Sequence, residues 1–266
     1  MMHIILTLWT TTAAAEATVV AAFQRFNQHA HYDIPPPTSR ELQQLLRGEV
    51  VTKLDQPIAG DPEAQRAIGM MLSRSSREAL WVACQDPHFA QQSSTKELRL
   101  SMTGDRAVWY GLVDLPWPLS DRHWLLNVWN NHALAKAADN QLWEHPWELI
   151  GNGFARVKPS IVAGKVPDVD LDMAEEAIYT PMNQGAWVVM GLPPANGQPR
   201  SLLVYHAMTK VGGSLPQGLV TDLVVSGYEE MLSTIVKRAE TDIKQHYNAQ
   251  HPPLLGGDGQ PVPTFR

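Results

Sequence analysis

Four side chains on segments with β-strand character can move or orient a proton: Arg122, His123, Tyr205 and His206. Imidazole and phenol groups act as general acids and bases, and a guanidinium holds oxygen atoms with a rigid fork of donors. Acid–base chemistry requires at least two such groups to converge in one cavity. For Arg122 the structural alternative is pairing with a nearby carboxylate, Asp114 or Asp121.

Other reactive residues carry weaker signals. Cys84 would be a nucleophile only beside a histidine that lowers its pKa, and a single cysteine on a helix is more often a packed side chain. His29 and His31, with Asp33, precede a proline-rich stretch and lack a second spaced ligand pair, so no metal site is predicted. The sequence lacks a Walker loop, a dinucleotide fingerprint and an H-E-x-x-H motif, and no cofactor is predicted.

Composition restricts the class of partner. The 266 residues are 44% hydrophobic and 18% charged, which is typical of a globular domain long enough to enclose a cavity. The 21 Lys and Arg residues are scattered and outnumbered by 27 Asp and Glu, so a nucleic-acid partner is not expected. A single cysteine excludes an intrachain disulfide.

The N-terminal segment has two interpretations. The apolar run 4–9 followed by alanines 13–15 is typical of a secretory signal, although no basic residue precedes it. The same residues fit a helix that begins at one of the threonines 10–12 and continues through Phe26. The first interpretation places the protein in the periplasm or outside the cell and the second in the cytoplasm, so localisation stays open.

Proline and glycine define the expected domain boundaries. Residues 1–37 are predicted to be an N-terminal extension that ends in the linker Pro35-Pro36-Pro37, and residues 38–248 to be one domain. Residues 249–266 are rich in proline and glycine, and we expect a flexible tail because so few apolar groups can be buried there.

The sequence of the domain predicts an antiparallel meander followed by one helix. Strand-like runs from Lys96 to Ile150 and from Ala174 to Lys210 are separated by turns, including 183–185 and a loop at 193–199. Apolar residues then repeat every 3.6 residues from about Pro216 to Tyr247, which predicts one long helix. A curved antiparallel sheet wrapped around that helix, an α+β architecture, would bury both apolar faces and leave an internal apolar cavity.

Side chains that could line this cavity come from the strands and from one helical face. Alternate strand residues share a face, and the predicted lining residues are Trp109, Trp124, Trp129, Trp187 and Tyr205, with Leu223, Gly227 and Met231 on the helix and Arg122 at the wall or mouth. Ordinary core packing explains the same pattern, so the assignment depends on the fold.

Two segments resemble the START lipid-transfer domains of the SRPBCC superfamily. Pro116-Trp117-Pro118-Leu119-Ser120-Asp121-Arg122 is similar to that family's P-x-P-x-S-x-R-D link, with His123 in place of the aspartate. Gly212-Gly213-Ser214-Leu215-Pro216 is similar to its G-G-x-x-P turn before the last helix. The resemblance extends from about Gly48 to Glu240 and implies the helix-grip fold.

The resemblance implies binding, and possible transfer, of a hydrophobic small molecule such as a lipid or sterol, with possible transient membrane contact. Together with the aromatic-rich meander and the absence of catalytic motifs, it favours a carrier that catalyses no reaction. The alternative is a polyketide cyclase or aromatase-like enzyme that uses the proton-carrying residues of the same cavity. A third alternative is an interaction module with a filled core. Ligand exchange requires an opening, predicted at loops 116–120 and 193–199 or at the long helix. The oligomeric state is left open.

Overall fold

A computed structural model describes residues 2–55, 64–86, 95–115, 119–210, 212 and 217–265, with side chains described from 13 onwards and, in the long helix, from 227. In chain order the elements are α1 (Met2–Asn27), α2 (Ser39–Leu46), β1 (Val51–Leu54), β2 (Gln65–Ser73), α3 (Arg77–Gln85), β3 (Thr95–Thr103), β4 (Arg106–Val113), β5 (Arg122–Val128), α4 (His132–Ala137), β6 (Leu142–Leu149), α5 (Gly153–Val162), α6 (Leu171–Glu176), β7 (Ile178–Tyr179), β8 (Met182–Ala195), β9 (Gln198–Lys210), α7 (Gln217–Thr241) and α8 (Ile243–His246).

The strands form one sheet in the order β1-β2-β9-β8-β6-β5-β4-β3, in which all neighbours are antiparallel. The short β7 adds a parallel pair beside β5. The expected curved sheet around a long helix is therefore confirmed. No helix in the described part of the chain is long and apolar enough to cross a bilayer.

Strict alternation along the central strands gives the sheet two apolar faces. On one face, Val188 and Val204 pack against Phe23 of α1. On the other face, Val189 and Leu203 pack against α3 and α7. The sheet is thus covered on both sides, and the cavity lies on the side of α7.

Helices α5 and α6 cover the outer face of β4 and β5, where Val157 and Ile161 pack against Leu125. Neither helix was predicted from the sequence. The strand-like run expected from Ala174 begins only at Ile178, because Ala174 lies in α6. The predicted turn at 183–185 is also wrong, since these residues continue β8. A Cβ at Gly185 would lie 2.1 Å from the carbonyl oxygen of His206, so glycine permits that close strand pairing.

Strands β8 and β9 are joined by a hairpin, as predicted, but both strands extend into the predicted loop 193–199 and leave a tight turn. Asn196 and Gly197 form this turn with φ values of 52° and 74°, a left-handed pair that matches the twist of the flanking strands. The long helix also ends earlier than predicted, at Thr241, and α8 follows after Asp242.

The N-terminal residues share the core of the domain. Helix α1 begins at Met2 rather than at a threonine, and Phe23 and Phe26 are fully buried. In the proline-rich segment, the side-chain amide of Asn27 pairs with both backbone groups of Ile34, which is also fully buried. This segment therefore packs against the domain.

The expectation of a flexible C-terminal tail is wrong. The hydroxyl of Tyr247 donates to the carbonyl of Val262 across 3.1 Å and accepts from the amide of Leu254 across 2.8 Å. The indole of Trp81 donates to the carbonyl of Leu255, and Val262 is 4% exposed. A few buried contacts fix this segment, and its composition does not show them.

Candidate ligand-binding cavity

A cavity of about 610 Å³ lies between α3, α7 and the sheet. Its volume is in the range of small-molecule sites. Strands β4, β5, β6, β8 and β9 supply large aromatic side chains to the lining: Trp109, Tyr110, Trp124, Trp147, Trp187 and Tyr205. Tyr205 stacks on Trp147 at 5.3 Å between ring centroids and contacts Trp187 at 4.3 Å. The wall is therefore mainly aromatic.

Six of the nine predicted lining residues lie on this wall: Trp109, Trp124, Trp187, Tyr205, Gly227 and Met231. The four aromatic residues were identified by strand alternation, and the two helix residues by their 3.6-residue spacing. The side chain of Leu223 lies outside the described residues. Trp129 follows β5 and contacts His31 and Arg106 instead of the cavity.

Arg122 does not line the cavity, which corrects the sequence-based expectation. Its side chain is buried and donates to the carbonyl oxygens of Ser120 and Asp121, and to that of Gly212 across 2.9 Å. These acceptors belong to backbone groups at the start of β5 and after β9. The guanidinium therefore joins two chain segments.

The proton-carrying residues do not converge. Of Arg122, His123, Tyr205 and His206, only Tyr205 lines the cavity. The ring of His123 lies 3.2 Å from the hydroxyl of Tyr110 on the outer side, where burial lowers its pKa to about 4. His206 faces Tyr32, and burial lowers its pKa to about 3.

Solved structures of known proteins share this arrangement of sheet and helix. They include a STAR-related lipid transfer protein from Xanthomonas axonopodis, with a TM-score of 0.51 and 15% identity over 72% of this chain and 94% of that chain. Human STARD10 has a TM-score of 0.51 and 12% identity over 82% of this chain and 85% of that chain. The chain has the START-domain, or helix-grip, fold. No protein-family model and no curated protein matches the sequence.

In this START fold the two segments that carried the sequence resemblance meet. Arg122 ends the first segment, and its donation to the Gly212 carbonyl joins that segment to the turn that follows β9. Pro116, Trp117 and Pro118, and residues 213–216, lie outside the described residues. The resemblance therefore reflects, in part, an internal contact that holds the fold.

Glu97 on the edge strand β3 also lines the cavity, and the sequence analysis missed it. The residue is exposed at the rim of the cavity, and the protein atoms that surround its carboxyl group raise the pKa to about 7. The charge of Glu97 in turn contributes to raising the pKa of Tyr205, after the larger effect of burial. At neutral pH the carboxyl group is therefore divided between its acid and its carboxylate.

His145 is a second missed cavity residue, and its tautomer follows from its neighbours. The Asn130 side chain donates through its Nδ2 to the Gly256 carbonyl, which leaves its Oδ1 as the acceptor facing His145 Nδ1 at 2.7 Å. Nδ1 therefore carries the proton. Burial lowers the His145 pKa to about 4, so the ring is neutral and Nε2 is an acceptor.

Asn183 and Cys84 are two further polar residues of the cavity lining. The indole of Trp147 donates to Oδ1 of Asn183 across 2.9 Å, which identifies the Asn183 nitrogen as the remaining donor of that amide. Burial raises the pKa of Cys84 to about 12, so it remains a thiol, as expected for a packed residue rather than a nucleophile.

Proposed function

We propose that this protein binds a hydrophobic small molecule of the lipid or sterol class in the cavity and transfers it, without catalysing a reaction. The observation that carries the proposal is the 610 Å³ cavity lined by six aromatic side chains of the sheet. Burial of apolar ligand surface there contributes roughly 25 cal/mol per Å². Because the wall is already formed, little of that gain is lost in ordering it.

A few polar groups orient the ligand. His145 offers an acceptor and Asn183 offers a donor beside the aromatic side chains. Asp86, Glu230 and Arg238 add charged groups to the lining. Glu97 adds a carboxyl group that is partly protonated at neutral pH. This combination suits a ligand with one or two hydroxyl or carbonyl groups on an apolar body, since fully desolvated charges would remain unpaired.

Helix α7 is the proposed gate. It contributes Gly227, Met231 and Arg238 to the cavity wall, whereas residues 193–199, another predicted gate, contribute none among the described residues. The loop at 116–120 lies largely outside the described part of the chain. Movement of α7 away from the sheet would open the apolar wall towards a membrane.

A carrier is supported better than a cyclase. Of the four residues named for the cyclase hypothesis, Arg122, His123, Tyr205 and His206, only Tyr205 lies in the cavity. Glu97 and His145 also line it, and they keep the cyclase as the second candidate function. The filled-core alternative is likewise disfavoured by a cavity well above about 300 Å³. A carrier must bind its ligand and also release it. An aromatic cavity supports binding, and movement of α7 supports release.

The direct test is native mass spectrometry of freshly purified protein, followed by organic extraction and identification of any bound molecule. We expect one lipid or sterol molecule per chain, and transfer of the corresponding labelled lipid between donor and acceptor vesicles. An apo mass that is unchanged after incubation with a mixed lipid extract would contradict the proposal.

A further inference from the structure

Two imidazole rings meet one buried carboxylate at the end of α3. Nε2 of His246 lies 2.7 Å from Oδ2 of Asp86, and Nε2 of His251 lies 3.1 Å from the same oxygen. The Asp86 side chain is 2% exposed, and those of His246 and His251 are 22% and 17% exposed. Within the described residues, the three donor atoms lie within 4.8 Å of one another.

The hydrogen bonds of His251 leave a specific electrostatic problem. Its Nδ1 lies 2.7 Å from the carbonyl oxygen of Pro252, which can only accept, so Nδ1 carries a proton. In a neutral ring Nε2 then holds a lone pair, and that lone pair faces the Asp86 carboxylate, which also only accepts. A second proton or a metal ion must lie between them.

We infer that Asp86, His246 and His251 form a binding site for a divalent transition metal, best fitted by Zn²⁺. Two imidazoles and one carboxylate are a ligand set that zinc uses, with bonds of about 2.0–2.2 Å. Tetrahedral bonds of that length separate donor atoms by about 3.3 Å. The observed 2.7 and 3.1 Å to Asp86 need only a small expansion, and the His246 and His251 donors lie within 4.8 Å of each other.

The outer contact of His251 has the form found around bound zinc. A metal-ligating histidine usually donates its other ring N–H to a carbonyl or carboxylate, which fixes the tautomer and the ring orientation. The bond from Nδ1 of His251 to Pro252 supplies that contact. The structure therefore supplies three metal ligands and, for His251, the hydrogen-bond acceptor that would orient its ring.

A bound ion would tie together three parts of the chain. Asp86 caps α3, His246 lies in α8 after the long helix, and His251 belongs to the C-terminal segment. Asp86 also lines the ligand cavity. Zinc would thus fasten the C-terminal end of α7 beside the cavity and stabilise the folded state by mass action.

His132 provides a matched control inside the same protein. Its Nδ1 lies 2.9 Å from the carbonyl of Gly257, and its Nε2 lies 2.7 Å from Oδ2 of Asp105. This pair has the same outer contact and the same carboxylate contact. Among the described residues, however, three potential metal donors come together only around Asp86. The His132 pair should therefore bind zinc far more weakly.

The test uses the full chain without a histidine tag, stripped with chelator and titrated with Zn²⁺ by calorimetry and with Co²⁺ by visible absorption. We expect one Zn²⁺ per chain, a tetrahedral Co²⁺ spectrum and a higher Tm with metal. His246→Ala and His251→Ala should each weaken binding by more than the about 10–100-fold lost with an outer partner, whereas His132→Ala should leave it unchanged.

Two results would overturn the inference: wild-type protein that binds no stoichiometric Zn²⁺, or binding that is unchanged by His251→Ala. Either result would assign the contact to a protonated imidazole paired with Asp86. If an alanine variant is poorly folded by circular dichroism, His251→Gln, which keeps a polar side chain at this partly exposed position, replaces it with the same expectation.

Discussion

Nη2 of Arg122 donates to the carbonyl oxygen of Gly212 across 2.9 Å, from a side chain that is 3% exposed. The same guanidinium donates to the carbonyls of Ser120 and Asp121. One side chain thus satisfies backbone acceptors on both sides of the gap between β5 and the turn after β9. Its role is in stability rather than ligand recognition.

Arg122→Lys should therefore destabilise the protein without altering ligand selectivity. An ammonium group cannot reproduce the planar fork of donors, so buried carbonyls lose partners. We expect a loss of about 3 kcal/mol in the free energy of unfolding, measured by urea denaturation, with an unchanged profile of extracted ligand. Arg40→Lys, at an exposed position in α2, is the control. A changed ligand profile at unchanged stability would contradict this role.

Glu97 should make stability fall as pH rises from about 4.5 to about 7. Its pKa in the folded protein is about 7, above the ordinary value of 4.5. In that interval the unfolded chain has released the proton while the folded protein retains it, so ionisation favours unfolding. Glu97→Gln should remove this contribution, seen as a difference between the variant's and the wild type's stability-against-pH curves.

Glu175→Gln, at an exposed ion pair with Lys158, is the control for that experiment and should leave the curve nearly unchanged. Parallel curves for wild type and Glu97→Gln between pH 4.5 and 7 would show that the carboxyl is not desolvated by the cavity.

A buried histidine should make stability fall as the pH is lowered, which is the opposite of the pH dependence expected from Glu97. Burial lowers the pKa of His206 to about 3 from an ordinary 6.5. Between these pH values His206 binds a proton in the unfolded chain but not in the folded protein. Stability is therefore lost as the pH falls below 6.5. His206→Leu should reduce that loss by about 1.4 kcal/mol per pH unit.

The comparison variant for His206 is His29→Leu, at an exposed position. Urea titrations at pH 5 and pH 7.5 give the difference directly. Equal acid sensitivity in wild type and His206→Leu would mean that the ring is accessible to protons in the folded state.

The C-terminal segment should contribute to stability through Tyr247. Its hydroxyl is bonded to both Leu254 and Val262 and is buried. Tyr247→Phe leaves these backbone groups without their partner, so we expect a loss of about 1–3 kcal/mol and faster proteolysis after residue 250. Proteolysis and melting temperatures identical to those of the wild type would contradict this anchoring.

Local sequence patterns predicted the elements that are defined by the spacing of apolar residues or by a helix cap. Thr38 caps α2 and Ser76 caps α3, at positions where the sequence indicates an N-cap, and Glu41 completes a capping box with Thr38. Helix α5 was missed because it begins after Asn152 in a left-handed conformation without a side-chain cap and contains Pro159. Its stability comes from packing on β5, which local sequence does not reveal.

The lining residues that were predicted are those placed by the alternation of a strand. The residues that were missed are those whose environment depends on the tertiary structure. Trp109 and Trp187 follow from alternation. Glu97 is an ordinary charged residue on an edge strand, and the local sequence does not show that it borders the cavity. Arg122 has the right type for a cavity, but sequence does not show that backbone carbonyls surround it.

The measurement that tests the central claim most directly compares Gly227→Phe with Gly151→Phe. A Cβ at either glycine meets nothing within 4 Å, but only Gly227 lines the cavity. Both variants should remain folded, because removing a glycine from a helix favours it and Gly151 lies in an exposed turn.

Bound ligand is measured by native mass spectrometry, and affinity by titration with a fluorescent sterol and a fluorescent fatty acid. We predict that Gly227→Phe loses the co-purified molecule and binds the preferred probe at least about tenfold more weakly, a change of 1.4 kcal/mol, while Gly151→Phe matches the wild type. Full ligand occupancy and unchanged affinity in Gly227→Phe would contradict a carrier that uses this cavity.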